Sequence, residues 1–252
     1  GDGSGLTNIG TSSSTFKDSY LNIAIGTEMK SLTSSKTTET DEEGTYTIYD
    51  GYANIAIGVS TLVMNTTGND NVAIGHTALY SNITGDGNIA IGEDALEINT
   101  TGGDNVAIGR YALDSNTTGD DNVAIGRDAL QNNTTGEFNI AIGENALDSN
   151  TTADHNIAVG EDALANNTTG EENVSVGAHS MEENETGSRN VAVGYEALQY
   201  NTDGEDNVAI GYSALENNID GDYNIAIGAE ALIANIDGDY NIAIGYTALQ
   251  EN

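Results

Sequence analysis

The sequence predicts an all-β fold, a parallel β-solenoid with 17 residues per coil. Three observations predict it. The pentad Asn54-Ile55-Ala56-Ile57-Gly58 recurs from Asn71 and then at every 17th residue to Asn241. Within it, Val or Ile alternates with a small residue, the period of a strand. Between pentads, Asn, Thr and Gly cluster as turn residues do. A unit this short cannot bury its own apolar side chains, so the units must stack.

Residues 1–21 are rich in Gly, Ser and Thr and read as an N-terminal cap or lead-in segment. Leu6, Ile9, Phe16, Tyr20 and Leu21 are expected to cover the open end of the stack, because terminal repeats are atypical caps. Residues 22–32 form a first coil around Asn22-Ile23-Ala24-Ile25-Gly26, with Met29 and Leu32 near the usual Ala-Leu region. The next pentad starts 32 residues later, one period plus 15 residues. Residues 33–53 are therefore an insertion loop, exposed from Thr33 to Gly44, with a candidate strand at Thr45-Tyr46-Thr47-Ile48-Tyr49. Twelve repeats fill 54–252, the last one truncated. The chain begins at Gly1 without Met and stops inside a repeat, which reads as a fragment or processed product.

Positions are counted from the pentad Asn as zero. Positions 1 and 3, such as Val72 and Ile74, share one strand face and are expected to form the core with the Leu of position 8. Position 2 is Ala except at Ser175. That flat, small-residue face is expected to pack on further copies of the chain, most simply as a homotrimer; the alternative is a monomer whose Ala residues line the inside of the coil. Position 4 is Gly throughout the twelve repeats, as a positive φ or a close backbone approach requires. Positions 7 and 8 are nearly always Ala-Leu, on a segment that is either strand or a single helical turn. Position 11 is always Asn. Stacked Asn side chains are expected to bond from coil to coil as ladders. Positions 12–14 run Thr-Thr-Gly early and Ile-Asp-Gly late.

The unit Asn-Val-Ala-Ile-Gly-x-x-Ala-Leu-x-x-Asn-Thr-Thr-Gly-x-x resembles the head repeat of trimeric autotransporter adhesins. It resembles more closely the related repeats of bacteriophage and viral tail fibres, as does the opening Gly1-Asp2-Gly3-Ser4-Gly5-Leu6-Thr7-Asn8. The resemblance covers residues 22–32 and 54–252. It implies a left-handed parallel β-roll, three chains assembled together, and attachment to a surface, extracellular or on a virion. Adhesin heads have shorter repeats, so positions 7–14 depart from that pattern. Some such tail fibres end in a self-cleaving chaperone domain, and nothing in these 252 residues matches one.

The net charge of -34 repels phosphate backbones and anionic membranes, so neither nucleic acid nor membrane insertion is expected. Cys is absent, so no disulfide framework exists. His76, His155 and His179 fall at different positions of their units and converge on no common site, so no enzyme and no required cofactor are expected. Arg110, Arg127 and Arg189 read as local partners for neighbouring carboxylates.

The candidate metal ligands are Asp203, Asp220, Asp222, Asp237 and Asp239, hard oxygen donors on Gly-containing turns that suit Ca²⁺. The alternative is a solvated acidic surface. Tyr195, Tyr212 and Tyr246, and separately Tyr223 and Tyr240, form columns suited to stacking on a receptor glycan. Asn-x-Thr sequons at position 11, from Asn65 to Asn184, are glycosylation acceptors in a secretory context and turn chemistry otherwise. The functional expectation is a structural, adhesive fibre segment that meets a surface receptor. Alternatives are a filament that polymerises end to end, or a Ca²⁺- or ice-binding solenoid. The Thr columns of positions 12 and 13 motivate the ice reading.

Overall fold

The structure, a computed structural model, describes residues 51–250. Before them it describes the backbone of five strands, Thr7–Asn8, Ser14–Lys17, Ile23–Gly26, Lys36–Asp41 and Gly44–Tyr49. The side chains expected to cap the stack, and the turn of Met29 and Leu32, lie outside this description.

Twelve three-residue strands, from Ile55–Ile57 to Ile242–Ile244, form a parallel solenoid, and the described residues contain no helix. Each strand pairs in register with its neighbours one coil away, as Val123 does with Val106 and Ile140. Ile23–Gly26 joins the same sheet, in parallel with Ile55–Ile57 and antiparallel to Ser14–Lys17. Within the insertion, Lys36–Asp41 and Gly44–Tyr49 form an antiparallel hairpin, so strand occupies part of the stretch expected as loop. At the usual strand spacing the twelve coils extend roughly 55 Å.

The strand faces are the reverse of the sequence expectation. Ala124 is fully buried while Ile125 is 36% exposed, and the pattern holds from coil to coil. The interior is Ala of positions 2 and 7, Leu of position 8 and the two Asn columns. The reason is thickness. A 17-residue coil brings its strand close against its Ala-Leu segment, whose Leu already fills the interior, so the strand can turn only a small side chain inward. Val and Ile therefore point outward, shielded only by their copies above and below. Ala lines the inside of the coil and is not a surface for another chain.

The Ala-Leu segment is a run of turns, neither strand nor helix. Positions 6 and 8 adopt left-handed backbone, as at Asp128 (φ 59°) and Leu130 (φ 51°). Such a conformation is costly for Leu. Stacking offsets it, because the position-8 amide donates to the next coil's position-7 carbonyl, as Leu130 N does to Ala146 O at 3.0 Å. Amides of positions 10 and 12 also reach the next coil, and those of positions 4, 6 and 16 reach the previous one. Interior backbone groups are thus paired between coils. At position 4 the chain requires Gly: Gly126 has φ 145°, and a Cβ there would sit 2.2 Å from Gly143 O.

The Asn ladders form as expected. In the position-11 column, Asn116 Nδ2 donates to Asn99 Oδ1 (2.9 Å) and to Gly119 O (3.0 Å). In the position-0 column, Asn105 Nδ2 donates to Asn88 Oδ1 (3.1 Å) and to the same Gly119 O (2.8 Å). The position-14 carbonyl is therefore clamped by both columns. Ala153 stands in place of Gly at that position and its carbonyl is held the same way, by Asn139 and Asn150. The coil from Asn173 swaps both interior Ala residues for Ser175 and Ser180, which bond to each other, so neither buried hydroxyl is orphaned.

Candidate functional site

With the interior occupied by structure, function falls to the outer columns. The longest is the Val/Ile face. Position 3 is about one-third exposed in most coils, and position 1 is half-buried beside it. Together they present on the order of 1,000 Å² of apolar surface, more than the largest patch on a typical monomer.

The acidic columns divide by position. Position-15 carboxylates tie coils together: Asp222 Oδ1 accepts the Glu205 amide (2.8 Å), and Asp239 Oδ1 accepts the Asp222 amide (2.9 Å). Position-13 residues differ. Asp203 accepts the Thr186 hydroxyl (2.7 Å), while Asp220 and Asp237 are exposed and their carboxylates have no bonded partner among the described residues. The five Ca²⁺ candidates thus split three ways: Asp222 and Asp239 cap amides, Asp203 holds a hydroxyl, and Asp220 and Asp237 face solvent. Among the described residues no group of three or more acidic or His side chains is gathered as a metal shell.

A second acidic group lies at positions 6 and 9. Asp114 is half-buried, and its Oδ1 has no hydrogen-bond partner. Burial, then the neighbouring Glu97 and Asp94, push its carboxyl up to about 6. Burial, then Asp128 and Asp162, likewise raise Asp148. Like charges stacked one coil apart favour the neutral acid.

The aromatic columns are stacked. Tyr195 and Tyr212 lie 5.7 Å apart with rings 10° from parallel, and Tyr223 and Tyr240 lie 5.0 Å apart at 3°. His155 stacks on Phe138, and His179 meets Asp162 and Glu182, so the His residues stay dispersed. Arg127 pairs with Asp128 and Glu144, and Arg189 with Glu205 and Asp206. Arg110 lies over the Tyr111 ring at 4.8 Å.

Two sequence motifs are absorbed by the fold. Each sequon Asn from Asn82 to Asn184 is fully buried with its amide in the ladder, so a sugar on Nδ2 would displace a ladder bond and has no room. The Thr hydroxyls of position 12 are also engaged: Thr117 donates to Thr134 O at 2.9 Å.

Sequence reasoning missed a groove. Glu183, Tyr200, Thr202, Asn217, Ile219, Ala234 and Ile236 line about 600 Å³ along one edge of the last coils. They belong to positions 10 and 12, with the buried Asn column between them. The only signal was the shared column character of Ile219 and Ile236. No helix among the described residues is long and apolar enough to cross a membrane. Comparison with protein-family models, curated proteins and solved structures returns no match.

Proposed function

We propose that the chain is a rigid segment of an attachment fibre, extracellular or carried on a virion, in which copies associate through the Val/Ile face. The supporting observation is that face itself, repeated at one spacing along every coil. An identical copy offers the same spacing, so the ridges of two or three chains match over their full length. The exposed area is of the order that a stable interface uses, about 800 Å² per partner. Three copies about a common axis would cover the face and leave the acidic, aromatic and turn columns outward for a receptor. This reading is non-catalytic.

Light scattering tests it. The expected mass is three times the 26.1 kDa of one chain, falling to one chain when Ile108→Lys and Ile142→Lys put charge on the face. A single-chain mass for the unaltered protein sinks the assembly. Mass that grows without limit favours the end-to-end filament.

A further inference from the structure

We infer that the groove lined by Tyr200, Ile219 and Ile236 binds a cationic, amphipathic polypeptide segment of a partner protein. It would serve as the attachment site of the fibre proposed above, and to that extent rests on that reading.

Three columns depart from the middle-coil pattern over these coils: position 13 from Asp203 onward, position 12 at Ile219 and Ile236, and position 10 at Tyr200. In the middle coils position 12 is Thr, whose hydroxyl bonds the next coil, as Thr100 and Thr134 do. At Ile219 that bond is given up, and the Ile219 and Ile236 side chains are 43% and 55% exposed. Position 13, Thr in the earlier coils, becomes Asp203, Asp220 and Asp237, each following a groove-lining residue. Position 10, a small polar residue at Ser115, Asn132, Ser149 and Asn166, becomes the exposed Tyr200.

The Ile and Tyr changes expose apolar surface that stacking does not need, and with the adjoining carboxylates they build a furrow with an acidic rim; Asp203 also accepts the Thr186 hydroxyl of the previous coil. No Lys or Arg lines it, and Glu183 adds a carboxylate to its wall. Charge complementarity selects the occupant: apolar side chains lie against Tyr200, Ile219 and Ile236 while Lys or Arg face the Asp column. The lining spans four coils, roughly 15 Å, the reach of four or five extended residues. The apolar exposure at Met64, Ile83 and Ile98 carries Thr67, Thr84 and Thr101 at position 13 and so supplies an uncharged internal control.

The test is fluorescence anisotropy with a labelled six-residue peptide alternating Lys and Leu, against one alternating Lys and Gly. The Lys-Leu peptide should bind the unaltered chain at least tenfold more tightly than the Lys-Gly peptide. Ile219→Thr with Ile236→Thr should weaken Lys-Leu binding at least tenfold. Both changes restore the residue of the earlier coils, so the fold is kept. Asp220→Asn with Asp237→Asn should weaken it similarly and flatten its salt dependence, while Ile83→Thr should leave it unchanged.

Equal binding of the two peptides, or unchanged binding in both double variants, overturns the groove and leaves only diffuse attraction to an acidic chain. Binding of a neutral oligosaccharide in place of the peptide overturns it too. Surface adhesion, scored on the same samples, separates the two claims. Adhesion without peptide selectivity removes the groove and spares the fibre reading; peptide selectivity without adhesion supports the groove and removes attachment.

Discussion

The inner and outer walls of this solenoid follow different rules. Inside, positions 0, 2, 4, 7, 8 and 11 hardly change across twelve coils, and where they do the change is compensated, as at Ser175 and Ser180. Outside, position 5 runs through His76, Glu93, Arg110, Ala178 and Tyr195 without disturbing a single strand pairing. The difference teaches where information lies. An interior side chain contacts its own copies above and below, so an error is felt twice. An outer side chain answers to solvent or a partner.

Substitutions that probe this contrast should rank by how far they reach into the stack. The array is not a single cooperative unit, so local hydrogen-exchange protection is the proper measure. Gly126→Ala should cost most, on the order of 4 kcal/mol, from its backbone conformation and its collision with Gly143 O. Protection should collapse in the coils on either side; protection equal to the unaltered chain would mean the two coils are not in contact there.

Asn116→Ala comes next. It strips the partners of Asn99 Oδ1 and Asn133 Nδ2, for about 2–4 kcal/mol. A loss no larger than that of a surface substitution would show that the ladder is ornamental.

Asp114 is the outer-wall exception, where the expected change is a gain. Its folded carboxyl sits at about 6 against 3.8 for the ordinary group, so the folded chain holds the proton more tightly. The raised value subtracts stability that is fully felt above about pH 6 and vanishes below about pH 4. Asp114→Asn should therefore stabilise these coils at pH 7 by on the order of 1 kcal/mol, after solvent screening, and do nothing at pH 4. Titration of protection in both chains checks the sign. Smallest of all, Thr117→Ala should cost no more than about 1 kcal/mol, since its partner Thr134 O keeps other bonds from the Thr117 and Thr118 amides.

The period, the parallel stacking and both Asn ladders were legible because Asn at positions 0 and 11 never varies, and a constant amide column has one economical use. The polarity of the strand was not. Val-Ala-Ile reads as apolar on both faces, and β-branched residues pass for core until the thickness of the coil decides which side is inside. Leu at positive φ was illegible because nothing in a Leu marks left-handed backbone; only the stacked Ala carbonyl explains it. The acidic columns were visible, but not that Asp222 and Asp239 cap amides while Asp220 and Asp237 do not. That depends on which residues of a turn face the neighbouring coil. The groove was hidden because positions 10 and 12 meet only at a folded edge.

The central claim, that each strand turns its small residue inward and its β-branched residues outward, is open to direct measurement because the chain has no Cys of its own. Single thiols placed as Ala124→Cys and Ile125→Cys, each with Ile108→Lys and Ile142→Lys to keep the face uncovered, can be timed against a soluble maleimide. The account predicts rapid labelling at 125 and, at 124, labelling only as fast as the coil opens. Equal rates, or faster labelling at 124, would contradict it.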